Sequence, residues 1–319
     1  MNLSKPAHPP LVVILGPTAA GKTEIALRLA ERLNGEIVSA DSRLFYRGMN
    51  IGTAKPSPQD LRRVPHHLIN VADPDETWSL AMFQEKARAA ISEIHARGNL
   101  PLMVGGTGQY LRAVTEGWQA PAVEPDPRLR QILTDWGGQI GADALHARLA
   151  ALDPHAAAQI DARNLRRTVR ALEVILSSGR RFSQQRTRTP APYRVLTLGL
   201  QRSRTELYAR IDARIEAMIA SGLVDEVRGL LAQGYSPDLP AFSAIGYREV
   251  IAYLQGRISQ AQALLEMKRA TRVFVRRQAN WFKQDNADIQ WFDASQDPTA
   301  RMEAAIRGFL MGKTAEEGL

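Results

Sequence analysis

The 319-residue sequence contains no cysteine, which excludes disulfides, thiolate nucleophiles and Cys-ligated metals. It has no apolar run near the roughly 20 residues that a membrane-spanning helix needs. The N-terminal MNLSKPAHPP lacks the long apolar core of a secretory signal, so a cytoplasmic protein without membrane attachment is expected. No internal repeat is visible, and no obligate protein partner is evident. Acidic residues are outnumbered, 33 Asp and Glu against 41 Lys and Arg, and the net charge of +8 favours a polyanionic partner. A hydrophobic content of 45% suffices for a substantial core, in two domains or in one with a large insertion.

The positive signals begin at LVVIL (11–15), a short buried-strand pattern followed by the loop LGPTAAGKT and an amphipathic segment from Glu24 to Leu33. Gly16, Gly21, Lys22 and Thr23 fit G-x-x-x-x-G-K-[ST]. The glycines let backbone N–H groups face a phosphate, Lys22 adds a positive charge, and Thr23 offers a hydroxyl suited to Mg²⁺. EIVSA (36–40) reads as a second strand ending at Asp41, and LPLMVGG (100–106) as a third, with a helix over 78–97 between them. Short apolar strands alternating with helices predict an α/β fold, a parallel sheet covered on both faces, with ligands at the strands' carboxyl ends. The glycine loop, Asp41 and Gly105–Thr107 should therefore converge.

Residue types alone leave the chemistry open. Asp41 could be a magnesium ligand, a general base or merely a helix cap. No acidic Walker B end follows LPLMV, which weakens hydrolysis and phosphoryl transfer. From 128 to 178 the pattern is helical, with Asp153–Pro154 marking one helix start. Residues 160–190 hold eight arginines against two acids. In DARNLRRTVRALEVIL (161–176), Arg166 and Arg170 lie one turn apart, forming either a solvated face or a nucleic-acid contact. The second basic helix, 267–283, carries Phe274, Trp281 and Phe282, which read as core more readily than as base-stacking platforms. A strand at 194–200 returns the chain to the sheet. Helices follow over 203–232, 246–255 and 259–283, with stops at Gly222, Gly234 and Gly256, and a last helix and loose tail begin near 294.

GPTAAGKT (16–23), DSRLFYRGMNIGTAKP (41–56), HHLI (66–69), VGGTGQYL (104–111), DPHAAAQID (153–161), RALEVI (170–175), SGLVDEV (221–227), AIGYREV (244–250) and TRVFVRRQANWF (271–282) together resemble the tRNA dimethylallyltransferases over nearly the whole chain. The resemblance implies a P-loop NTPase-like core of residues 1–117 and 193–319, with a helical tRNA-binding insertion at 118–192. It implies transfer of a dimethylallyl group from dimethylallyl diphosphate to the N6 amine of the adenosine beside the anticodon. Gly16, Thr18, Ala19, Ala20, Gly21, Lys22, Thr23 and Arg214 would hold the diphosphate, with Mg²⁺ on Thr23. Asp41 would be the general base and Thr107 would contact substrate near the reacting centre. The tRNA anticodon stem-loop would meet Asp41, Ser42, Arg43, Leu44, Thr107 and Arg130. It would also meet Arg166, Arg167, Thr168, Val169 and Arg170 in the insertion, and Ser243, Ala244, Ile245, Gly246, Tyr247 and Arg248. Leu44 stands where many relatives carry a glutamine able to hydrogen-bond the flipped base. The alternatives are a P-loop kinase or NTPase, a transferase acting on free adenine nucleotides, and a tRNA-binding module without catalysis.

Overall fold

Leu11 to Leu15 are at most 2% exposed, as a strand covered on both faces requires. They lie in β1 (Pro10–Leu15), next to the centre of a six-stranded sheet in the computed structural model of the chain. The structure describes residues 8–118, 121, 123–185 and 192–312. The first seven residues of the stretch read as lacking a signal, and the loose tail beyond 312, lie outside them. In chain order the elements are β1, α1 (Lys22–Arg32), β2 (Gly35–Ser39), α2 (Pro58–Arg63), β3 (His66–His67), α3 (Leu80–Ala96), β4 (Leu100–Gly105) and α4 (Gly108–Thr115). Then come α5 (Pro127–Ile140), α6 (Ala142–Leu152), α7 (Pro154–Ala158), α8 (Leu165–Ser178) and β5 (Arg194–Gln201). The chain continues with α9 (Arg204–Ala220), α10 (Leu223–Ala232), α11 (Tyr247–Leu254), α12 (Gln260–Ala279), β6 (Ile289–Asp293) and α13 (Thr299–Leu310).

The sheet order is β3-β2-β4-β1-β5-β6 and every pairing is parallel. The P-loop-like parallel sheet flanked by helices is as expected. Two strands were not anticipated. β3 has only two residues, too few for any periodicity, and β6 is a half-exposed edge strand without the apolar signature of β1. Helix starts follow their caps: Ser79, Ser203 and Ser259 accept the Met82, Glu206 and Gln262 N–H groups, and Asp153 caps α7 before Pro154.

Two compact units result: residues 1–115 with 191–319, and residues 116–190. The second is helical, with its own core of Leu133, Leu145, Leu149, Val169 and Leu172. Its buried Glu173 accepts hydrogen bonds from the Arg130 and Arg170 guanidinium groups and from the Asp126 N–H, which hold its carboxyl below the usual range against the cost of burial.

In the first unit, Glu36 on β2 is 3% exposed and bonded to Arg97, Asn99 and His67. The hydrogen bond from Arg97 is the largest cause holding it down at about 2, below a reference of 4.5. A depressed carboxyl contributes stability that is present above pH 4.5 and lost as pH falls toward 2. The shift corresponds to about 3 kcal/mol, less the screening of half-exposed Arg97. Glu36→Gln should therefore lower the urea midpoint at pH 7, and the difference from the parent should shrink in melts taken progressively below pH 4.5.

Candidate active site

β1 lies between β4 and β5, and the chain leaves its carboxyl end through Gly16. Gly16 has φ 152°, and a Cβ there would lie 2.6 Å from the Leu200 carbonyl oxygen, so a side chain would collide with β5 backbone. Ala19 adopts the left-handed φ of 64°, a strain on the order of 1 kcal/mol that needs outside support. Support comes from two arginines beyond β5: Arg210 Nε donates to the Ala19 carbonyl at 2.8 Å and Arg202 Nε to the Ala20 carbonyl at 3.1 Å. Lys22, the first residue of α1, folds back over the loop and donates to the Gly16 and Pro17 carbonyls at 3.0 and 2.8 Å. Burial pushes its ammonium down to about 8, with Asp41 opposing the shift and Arg214 adding to it.

Asp41 follows β2. No helix starts there, so it is not a helix cap; its Oδ1 accepts the Arg43 N–H at 3.0 Å in a local turn. β2 and β4 approach so closely that a Cβ on Gly105 would lie 2.6 Å from the Ala40 carbonyl oxygen, which sets Asp41 beside Gly105–Thr107. Arg214, from α9, has its guanidinium pKa lowered by burial, with Asp41 opposing. Asp41 thus lies within electrostatic reach of Lys22 and Arg214. Tyr110, one turn into α4, is pushed up to about 12 by burial, with Tyr46 and Asp41 adding to the rise. Its ring stacks on Phe83 at 4.3 Å and Phe45 at 5.9 Å, both fully buried, so Tyr110 is the half-buried outer member of an aromatic core cluster. Thr107 is half-buried in the turn before α4, its carbonyl accepting the Tyr110 and Leu111 N–H groups.

A cavity of about 570 Å³ opens beside Arg214, lined also by Ile51, Lys55, Asn70, Ala217 and Met218. Lys55 donates to the Tyr46 carbonyl and Asn70 Oδ1, and burial pushes it down to about 8. Glu226 fixes this wall by accepting the Asn50, Ile51 and Gly52 N–H groups and the Tyr247 hydroxyl at 2.5 Å.

The remaining expected residues divide by exposure. Arg166 and Arg167 are exposed on α8, whereas Thr168 and Val169 are buried in the second unit and Arg130 and Arg170 are paired with Glu173. Ser42 and Leu44 are half-buried beside Asp41. Arg43 donates to the Pro240 and Ala241 carbonyls and to Ser243 Oγ, so its guanidinium ties the Asp41 turn to the 3-10 turn at Pro240–Ser243. Ala244, Gly246 and Tyr247 are buried, Ile245 is half-buried, and Arg248 pairs with Glu249. Phe282 is core and Phe274 is exposed. Sequence reasoning missed Gln278, Glu226, Arg202 and Arg210. All four act on backbone groups; Gln278 and Glu226 lie in stretches that carry the family resemblance, TRVFVRRQANWF and SGLVDEV, but residue types there do not reveal that role.

Among the described residues no cluster of three or more His, Cys, Asp or Glu could cage a metal. The exposed Thr23 hydroxyl at the start of α1 suits Mg²⁺, which keeps most of its shell for phosphate and water. Among the described residues no helix is long and apolar enough to cross a membrane.

Comparison with known proteins agrees with this geometry. The profile described as IPP transferase matches residues 44–285. A tRNA dimethylallyltransferase of Roseiflexus sp. strain RS-1 is 55% identical over 274 residues, 86% of this chain and 90% of that one. The solved tRNA isopentenylpyrophosphate transferase of Bacillus halodurans is 40% identical, with a TM-score of 0.72 over 97% of this chain and 99% of that one. A eukaryotic dimethylallyltransferase, solved acting on tRNA, superposes with a TM-score of 0.81 at 26% identity, over 96% of this chain and 80% of that one. With the family profile matching most of its length and relatives more than half identical to it, the chain belongs to the IPP transferase family.

Proposed function

We propose that this chain transfers a dimethylallyl group from dimethylallyl diphosphate to the N6 amine of the adenosine 3′-adjacent to the anticodon of a tRNA. The observation that carries this reading is the electrostatic coupling of Asp41, at the end of β2, to Lys22 of the glycine loop and to Arg214 of α9. Diphosphate is the leaving group, and the loop N–H groups of Ala19 and of residues 21–23, with Lys22 and Arg214, meet its growing negative charge, the Ala20 N–H being held by the Pro17 carbonyl. Asp41 accepts the N6 proton as the N6–C1 bond forms, and the C1–O bond breaks with its electron pair passing to diphosphate. Half-buried Tyr110, backed by the core rings of Phe83 and Phe45, shields the allylic carbon from water, and Thr107 lies beside the entering amine. Mg²⁺, when bound, neutralises part of the diphosphate charge, with the Thr23 hydroxyl as its protein ligand.

The adenine must leave its stack to reach this depth. Residues 116–190 supply the tRNA-binding surface, with exposed Arg166 and Arg167 meeting backbone phosphates. Ser42, Leu44 and the segment 243–248 border the base. The compartment that fits this substrate is the cytoplasm. Incubation with labelled dimethylallyl diphosphate and unmodified tRNA should label tRNA bearing adenosine beside the anticodon, and not the same tRNA with guanosine there. Label in free adenine nucleotides alone would instead indicate a mononucleotide acceptor. Replacing Arg166 and Arg167 by glutamine should weaken tRNA binding and lower the slope of log K against log salt by about 1.5. An unchanged slope would mean that these arginines are merely solvated.

A further inference from the structure

Gln278 lies near the end of α12, a basic helix far in sequence from the phosphate loop, yet it is 5% exposed. Its Oε1 accepts the Thr18 N–H at 2.8 Å and its Nε2 donates to the Gly106 carbonyl at 3.0 Å. One amide thus joins the loop after β1 to the turn after β4, using both its donor and its acceptor. The fit leaves no room for drift: a Cβ on Gly106 would lie 2.2 Å from Gln278 Nε2 and 3.1 Å from the Gly16 carbonyl oxygen. The same end of α12 is fixed a second time, where Trp281 fills the space that a Cβ on Gly108 would occupy. The Thr18 N–H, expected from the motif to face a phosphate, is therefore turned toward Gln278.

We propose that Gln278 is a positioning residue for prenyl transfer, setting the spacing between the loop that holds the leaving group and the Gly106–Thr107 turn that meets the acceptor. This inference rests on the transferase reading above. A small error in that spacing costs rate more than affinity, because bond formation and bond breaking are aligned across it. An amide is required. A neutral carboxyl could make both hydrogen bonds, whereas a carboxylate would set an unprotonated oxygen against the Gly106 carbonyl.

Two variants test this. Gln278→Met keeps the volume and loses both hydrogen bonds. It should lower single-turnover transfer about 10- to 100-fold with the KM for dimethylallyl diphosphate within about threefold of the parent. Gln278→Glu should be impaired at pH 8 and recover relative to the parent, assayed at each pH, as pH falls and the buried carboxyl protonates. That pH-dependent ratio is internal to one folded variant, so it stands even if Gln278→Met folds poorly. Parental rates in Gln278→Met, or a Gln278→Glu to parent ratio that is flat with pH, would overturn the proposal. Absence of tRNA labelling by the parent itself would instead refute the transferase reading.

Discussion

Asp41→Asn is expected to lower the rate of prenyl transfer by about 10²- to 10⁴-fold while tRNA binding stays within about twofold. Asparagine is the informative replacement because Asp41 does two things. Its Oδ1 accepts the Arg43 N–H and so shapes the turn after β2, and the carboxylate lies within electrostatic reach of Lys22 and Arg214. The asparagine carbonyl retains the first role and cannot perform the second as a base. Asp41→Ala removes both, and it should also loosen the Arg43 bonds to Pro240, Ala241 and Ser243. Transfer by Asp41→Asn at near-parental rates, with Asp41→Ala impaired, would reduce Asp41 to a turn former. A matching loss of tRNA affinity in Asp41→Asn would place its main role in RNA binding. Single-turnover transfer and filter binding on the same preparations separate these outcomes.

Lys22→Met should lower kcat/KM by about 10²- to 10³-fold, the usual effect of removing a preorganised donor from a developing oxyanion. The lysine is tensioned toward this task. In the free protein burial holds it at about 8, against a reference of 10.5, and its ammonium rests on two loop carbonyls. A bound diphosphate supplies the missing counter-charge and raises that value, so binding near pH 8 to 9 should take up a proton. Calorimetry in buffers of different ionisation heat measures this uptake, and Lys22→Met should abolish it. The stability effect has the opposite sign. A folded pKa below the unfolded one makes the charged lysine a cost below pH 8, and that cost fades as pH rises toward 10.5. Lys22→Met should therefore raise the melting temperature of the ligand-free protein at pH 7 and lose that advantage above pH 9. An inactive variant with unchanged proton uptake would mean that the lysine is not the group that titrates.

Much of the core was legible because its signals are local. LVVIL, EIVSA and LPLMVGG declare buried parallel strands, and the glycine spacing declares the loop between β1 and α1. The positions of Asp41 and Thr107 just beyond β2 and β4 were legible, as places in the fold. What sequence could not carry was pairing at a distance. Gln278 reads as one polar residue among arginines, and its partners lie 260 and 172 residues away. Glu226 looks like an ordinary helix-surface acid, yet it anchors three consecutive backbone amides of the segment after Asp41. The arginine excess of residues 160–190 was read from composition, which does not separate a free guanidinium from one neutralised by a buried partner. Glu173 makes that separation, engaging Arg130 and Arg170 and leaving Arg166 and Arg167 exposed.

In the proposed reaction the loop at Gly16–Thr23 holds a diphosphate as a leaving group, and not a nucleoside triphosphate whose phosphate is transferred or hydrolysed. The most direct measurement supplies unmodified tRNA, labelled dimethylallyl diphosphate and γ-labelled ATP together and follows all three products. The expected result is one diphosphate released for each dimethylallyl group entering tRNA, with the ATP γ-phosphate intact. Release or transfer of the γ-phosphate without label in tRNA would contradict it.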